Sequence, residues 1–421
     1  MARVLLATFG SLGDLYPYIA VGQALRARGI TARIATCSDY QSQVQGAGLE
    51  FAPVAPSLAQ LGTPQELARR VADPIRGSKA LLNGLIMPHL RESHRQLRAA
   101  AGEADLLIGH PLTFMLQVVA AEQRKPWLSS ILAPANFLSR DDPPALAPIN
   151  SLQIARRLGP RVYDVLLHLI RGAVRGWEQP LHEYRRELGL PASGKVMVFE
   201  GQFSPLGTLA LFDAPLMRPQ PDWPPHTHLC GTPLYDGNAP EPRVLTQLQE
   251  FLAAGAPPLV FALGSSAVWL GGEFWVAALE AARRLGRRAI LITGAGSLPN
   301  LPDSVREFSY LPYSQVFPRA CAVVHQAGIG TLAQALRAGR PQLITPVWFD
   351  QPDNAARAVR LGVARTLPFR RVTAARLVQQ LRPLLAAPAY ATAAREVAAS
   401  LTGIDGAAVA AECISAALAS A

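Results

Sequence analysis

The run Ala322-Val323-Val324-His325-Gln326-Ala327-Gly328-Ile329-Gly330-Thr331-Leu332-Ala333 puts a histidine, two glycines and a threonine where an apolar strand gives way to a helix. Glycines admit close backbone approach, and the first N–H groups of a helix point outward at the positive end of its dipole. The chemistry this suits is binding of a diphosphate, with His325 and the Thr331 hydroxyl as further donors. Twenty residues on, Asp350-Gln351-Pro352-Asp353-Asn354 offers several partners for sugar hydroxyls. A second strand-to-helix loop, Gly10-Ser11-Leu12-Gly13-Asp14, lies near the start of the chain. By itself, Asp14 reads as a first-turn partner of the helix dipole. Gly328–Ala333 also fits the dinucleotide pattern G-x-G-x-x-A, with Asp350 at the spacing of a ribose-binding acid. A nicotinamide-dependent oxidoreductase is therefore a rival, although this loop follows the fourth strand of its half rather than the first. No Asp-x-Asp pair occurs, so no metal ligands are assigned. A leaving diphosphate would rely on the helix N-terminus, His325 and Thr331.

The elements that must position these groups follow a strand–helix alternation, the pattern of α/β folds with parallel sheets. Strands are expected at Val4–Phe9, Ala32–Thr36, Leu106–Gly109 and Leu128–Ala133, with a helix over Leu15–Arg28 that keeps Pro17 in its first turn. The proline-bearing stretch Asp141–Pro148 reads as a surface loop, followed by helices from Leu152 to Leu188. Eight prolines crowd Asp213–Pro242, which reads as a stiff connection. The alternation then restarts at Leu259–Leu263, Phe274–Leu285, Ala289–Thr293, Ala322–His325 and Gln342–Val347, and closes with a helix over Ile404–Leu418. The expected organisation is an N-terminal Rossmann-like domain over 1–222, a proline-rich linker over 223–242 and a C-terminal Rossmann-like domain over 243–400. A final helix, 401–421, packs back toward the first domain.

Composition narrows the functional classes. Half of the 421 residues are hydrophobic and 17% are charged, ample for buried parallel sheets. No apolar run is long enough to span a bilayer, and the start reads as a first strand rather than a signal peptide, so a cytoplasmic protein is expected. Cys37, Cys230, Cys321 and Cys413 are scattered without a CxxC pair, which gives neither a zinc site nor a disulfide framework. The formal net charge is +10, but the arginines are dispersed and no basic run is interleaved with aromatics, so no nucleic-acid partner is expected.

Taken with the Gly10–Asp14 loop, the segments Tyr310-Leu311-Pro312, His325–Thr331 and Pro346-Val347-Trp348-Phe349-Asp350-Gln351 resemble the signature of family 1 glycosyltransferases. The likeness spans essentially the whole chain. It is closest to the bacterial branch of the rhamnolipid rhamnosyltransferase and the macrolide and glycopeptide enzymes. The resemblance implies a GT-B fold, two Rossmann-like domains facing across a cleft, and transfer with inversion from a UDP- or dTDP-sugar without a cofactor. Asp14 would be the catalytic base. The donor would be held by Ser11, Gly13, Ser265, Ser266, Tyr310, Leu311, His325, Gly328, Ile329, Gly330, Thr331, Asp350 and Gln351. Ala327 stands where the family usually has glycine, a mild change if φ there is negative. Ala333 stands where plant members carry a ribose-binding glutamate, leaving Gln334 as the candidate. Variable parts of the first half would bind a hydrophobic acceptor, a lipid or an aromatic or polyketide aglycone, with His110, Phe137, Leu146 and Leu169 in contact; its accepting group would be a hydroxyl or, alternatively, a carboxyl, which Asp14 would only orient. Arginines over residues 156–175 suggest either a solvated helix face or contact with anionic lipid at the inner face of the membrane. A non-catalytic sugar-nucleotide-binding subunit is the remaining alternative, and the oligomeric state is open.

Overall fold

A computed structural model describes all residues except 72, 74, 75, 147–150, 192, 238, 295, 297 and 421; residues 147 and 148 of the expected Asp141–Pro148 loop thus lie outside the described residues. The chain divides into two compact units, one comprising Met1–Tyr235 with Asp405–Ala421 and the other Asp236–Ile404.

Unit 1 contains a seven-stranded parallel sheet in the order β3-β2-β1-β4-β5-β6-β7. Its strands are β1 (Arg3–Ala7), β2 (Thr31–Thr36), β3 (Glu50–Pro53), β4 (Leu106–Gly109), β5 (Trp127–Ile131), β6 (Thr208–Ala210) and β7 (Thr227–Leu229). The central strands are uninterrupted apolar runs because helices cover both of their faces; Leu5, Leu6 and Leu107 have no exposed surface. Helix α1 (Leu12–Ala27) leaves β1, and α2 (Phe114–Gln123) follows β4. Helices α3 (Ser151–Leu158) and α4 (Pro160–Arg175) come after β5. The first helix begins at Leu12, three residues before the expected Leu15, so Pro17 lies inside it rather than in its first turn. The capping box explains the earlier start, since Ser11 and Asp14 satisfy each other's backbone N–H groups. Within 223–242, expected as linker, Thr227–Leu229 instead pairs with β6 as an edge strand, its prolines falling outside the paired residues.

Unit 2 contains a six-stranded parallel sheet in the order β10-β9-β8-β11-β12-β13. The strands are β8 (Leu259–Ala262), β9 (Ala289–Ile292), β10 (Val305–Phe308), β11 (Ala322–His325), β12 (Gln342–Ile344) and β13 (Ala364–Thr366). Helix α5 (Ile329–Arg337) follows β11 and α6 (Gln351–Arg360) follows β12. The last helix, α7 (Gly406–Ser420), belongs to unit 1 and packs against α1.

Both sheets reverse their strand order once, between β1 and β4 and between β8 and β11. Loops diverge from the carboxyl ends of the strands at such a switch point, and this is where open α/β sheets bind ligands. The two loops with chemistry in the sequence, Gly10–Asp14 and His325–Thr331, leave β1 and β11 at these two points.

Candidate functional site

In unit 1 the register Ala7↔Gly109 sets the end of β1 beside the end of β4. The Asp14 carboxylate turns back over its own loop. Its Oδ2 accepts from the Ser11 backbone N–H at 2.7 Å and from the Ser11 hydroxyl at 3.1 Å. Gly10 lies at φ +140°, where a Cβ would sit 2.3 Å from Asp14 Oδ2; only glycine leaves room for the carboxylate there. The other carboxylate oxygen, Oδ1, lies 3.6 Å from His110 Nε2. His110 Nδ1 accepts the Leu112 backbone N–H at 3.2 Å, so the ring proton sits on Nε2 and points toward Asp14. Burial pushes the His110 pKa down, and the Asp14 charge offsets only part of this. His110 is therefore a neutral donor beside a carboxylate that is one-third exposed. Beneath them, the Tyr18 hydroxyl donates to Ser130 Oγ (2.6 Å), which donates to the Gly109 carbonyl (2.9 Å). Ser11 and Gly13 form the cap of α1 with Asp14.

The same strand ends frame a small apolar depression. Phe9 follows β1, Val54 follows β3, and Leu112 and Met115 follow β4, with Ile86 and Leu90 from the helical segment preceding β4. None of these residues was singled out in the sequence. They come from four separate stretches of chain, and each reads locally as ordinary core. None of the expected acceptor contacts lines this pocket; His110 stands just before it, directly after β4. Phe137 is instead buried in an aromatic stack, 4.2 Å from Trp223 and 5.8 Å from Phe203 between ring centres. Leu146 packs on the cluster formed by Leu152, Tyr163 and Leu167. Leu169 is 63% exposed on the outer face of α4. An apolar inventory cannot tell an inner face from an outer one.

In unit 2 the register Ala262↔His325 brings the turn after β8 against the loop after β11. Gly328 caps α5 without a side-chain bond, and the first bond of the helix runs from Leu332 N–H to the Gly328 carbonyl. The N–H groups of Ile329, Gly330 and Thr331 are thereby left outside the helix ladder. A Cβ at Gly330 would meet nothing within 4 Å, so the helix end opens onto free space. Ser265 and Ser266 sit in the short turn Gly264–Ala267. There the Gln326 side chain lies over Gly264, whose φ is +66°. Tyr310 is half-buried and Leu311 fully buried at the end of β10.

His325 is not placed as a direct diphosphate donor. It has no exposed surface; its Nδ1 accepts the Ala327 N–H at 3.1 Å and its Nε2 lies 3.0 Å from Gln342 Oε1. Burial holds its pKa down to about 4, so the ring is a neutral brace under the loop. The residue it braces, Ala327, has φ +65°. Its replacement of glycine thus carries left-handed strain and is not the mild change a negative φ would make it. Gln334 Nε2 donates to Asp236 Oδ1 at 2.9 Å, which engages one of its two amide hydrogens. Asp350 precedes α6, and its Oδ2 accepts from Asn354 Nδ2 at 2.7 Å. The same Asn354 nitrogen donates to the Ala327 carbonyl at 2.9 Å. Asn354, expected only as one of a polar cluster offered to sugar hydroxyls, therefore ties the Asp350 carboxylate to the loop after β11. Gln351 is 3% exposed, and its Oε1 accepts the Val347 and Trp348 N–H groups. It shapes the turn beside Asp350.

Comparison with known proteins agrees with this architecture. Residues 4–96 match the glycosyltransferase family 28 N-terminal domain, and residues 280–414 match the erythromycin biosynthesis protein CIII-like C-terminal domain. The O-mycaminosyltylonolide 6-deoxyallosyltransferase of Streptomyces fradiae is 34% identical over 97% of this chain and 96% of its own. Among solved structures, the spinosyn forosaminyltransferase SpnP aligns with a TM-score of 0.69 at 18% identity, covering 99% of both chains. The glycosyltransferase VinC, solved with dTDP, aligns at 0.68 and 21% identity, also over 99% of both.

Proposed function

This chain belongs to the glycosyltransferases of the GT-B fold typified by the erythromycin CIII-like enzymes, and on that premise we propose that it transfers a sugar from a UDP- or dTDP-sugar to a hydroxyl of a hydrophobic lipid or polyketide acceptor in the cytoplasm. The observation that carries this reading is the N-terminus of α5, where the N–H groups of Ile329, Gly330 and Thr331 lie outside the helix ladder and Gly330 faces open space, with the Asp350 carboxylate tied to the preceding loop through Asn354. A diphosphate fits the first and sugar hydroxyls the second. The matched relative acts, by its name, on a macrolide lactone, and the VinC structure contains dTDP.

Unit 2 holds the donor through the α5 N–H groups and Thr331, with Ser265, Ser266, Tyr310 and Leu311 about the nucleoside. Unit 1 holds the acceptor against the Phe9–Met115 pocket, its hydroxyl at Asp14. The acceptor oxygen attacks the anomeric carbon as the bond to the diphosphate oxygen breaks, and the configuration inverts. Asp14 takes the hydroxyl proton, and the nucleoside diphosphate leaves with the bonding pair. An aspartate is a weak base for a ground-state alcohol, and it accepts the proton late, when the acceptor has become acidic. Ser11 holds the Asp14 carboxylate through its backbone N–H and hydroxyl, and the neutral His110 ring stands 3.6 Å from the other carboxylate oxygen. The helix N-terminus and the Thr331 hydroxyl stabilise the leaving group, so a divalent ion is not required.

Thermal shift with UDP, dTDP and NAD tests the donor half: stabilisation by UDP or dTDP is expected, and stabilisation by NAD alone would overturn the reading in favour of an oxidoreductase. Asp14→Asn tests the base. It should lower kcat by about 10²–10⁴-fold while dTDP still binds; full transfer by that variant would remove Asp14 from the mechanism. Unchanged turnover in EDTA is expected, and its loss would show a metal-dependent route.

A further inference from the structure

Helices α3 and α4 carry apolar side chains on two opposed faces. The inner face buries Leu152, Ala155, Tyr163, Leu167 and Val174. The outer one presents Ile154, Leu158, Val162, Val165 and Leu169, between 42% and 70% exposed. Among the described residues twelve large hydrophobic side chains are exposed, and these five fall within sixteen consecutive residues. The two helices break at Gly159, whose φ is +126°, and pack against each other, so the five side chains lie on faces turned away from the buried cluster. Scattered apolar residues on a surface need no explanation, but five concentrated on one helix pair do.

The charges on these two helices are mostly basic. Arg157, Arg161 and Arg175 are exposed and Arg156 and Arg171 half-buried, while the one acid on the two helices is Asp164. Asp164 pairs with Arg140, and Arg171 pairs with Glu200. Among the described residues, Arg157 and Arg161 hold no ion pair. No helix among those residues is long and apolar enough to cross a bilayer, so contact with lipid would have to lie in the interface. Apolar side chains exposed alongside arginines are the pattern of a helix lying in an anionic headgroup layer. A second copy of the chain would bring the same arginines against its own. We propose that the outer face of α3 and α4 docks on an anionic membrane surface, an interaction independent of the donor and acceptor sites.

Co-sedimentation with vesicles tests this directly. The wild-type chain should bind vesicles of phosphatidylcholine with 30% phosphatidylglycerol, and at least about 10-fold less tightly to phosphatidylcholine alone or at high salt. The variants Leu158→Glu with Val165→Glu, and Arg157→Glu with Arg161→Glu, should each weaken binding by about 10-fold or more without moving the thermal midpoint or dTDP affinity. Absence of binding to the anionic vesicles would overturn the proposal, as would equal binding by both variants. Self-association in the ultracentrifuge that the apolar variant abolishes would assign the face to a second copy instead.

Discussion

If the His325 ring braces the loop from below, pH should separate that role from direct contact with the diphosphate. With a pKa of about 4, the imidazole is only roughly 3% protonated at pH 5.5. The affinity for a dTDP-sugar or UDP-sugar, whose bridging diphosphate does not titrate in this range, should therefore stay flat from pH 7.5 to 5.5. An imidazolium reaching the diphosphate would strengthen binding by about 10- to 100-fold over the same interval. Stability moves in the opposite sense. The folded pKa lies below the unfolded value of about 6.5, so the unfolded chain takes up the proton first as pH falls. The stabilising effect of neutral His325 is full above pH 6.5 and is lost toward pH 4, by about 3 kcal/mol. His325→Ala removes the ring and leaves the Ala327 N–H without its partner, at a cost of roughly 3–5 kcal/mol. Urea unfolding of wild type and variant at pH 7.5 and 4.5, with calorimetric titration of a dTDP-sugar, reads both quantities. The stability gap should narrow at low pH. Tighter sugar-nucleotide binding at pH 5.5, or a His325→Ala variant with native stability and lost affinity, would refute the brace.

Three further outcomes are expected. Gly10→Ala sets a Cβ against the Asp14 carboxylate and should lower kcat by about 10-fold or more with dTDP affinity unchanged, since the disturbed group lies in unit 1. Ala327→Gly relieves the positive φ and should keep donor binding, with stability within about 1 kcal/mol of wild type, whereas Ala327→Val should lose both, as thermal melts with and without dTDP will show. Asn354→Ala releases both Asp350 and the Ala327 carbonyl; it should weaken a dTDP-sugar by about 10-fold or more but dTDP itself much less, and equal losses would deny it the linking role.

The parts of the donor site that could be read from the chain are those where local rules and function coincide. Gly328 and Gly330 follow an apolar strand directly, and the helix end they open is set by residues within a few positions of one another. Ser11 and Asp14 are equally local: their capping box starts the helix at Leu12, three residues before the expected Leu15. The strands β3, β6, β7, β10 and β13 are only three or four residues long, too short to show a period, and β7 is hidden among prolines. The His110–Asp14 pair depends on β4 inserting beside β1, and the Phe9–Met115 pocket on four loops meeting at one sheet edge. Pairing across a sheet leaves no trace in the spacing of either partner. His325 misled for a related reason: a histidine at a strand end suits a ligand contact, and only the position of Gln342 on β12 shows what the ring holds.

Helix α7 lies against α1, the helix that carries Asp14, yet it is reached only after the chain has passed through all of unit 2. Unit 2 is thus an insertion within unit 1. During synthesis the unit bearing the proposed base must wait with one side of α1 uncovered until the sugar-nucleotide unit has emerged. A ribosome that stalls within residues 236–404 would therefore release no finished acceptor domain, and a protease cutting just before α7 should disable unit 1 while leaving unit 2 whole.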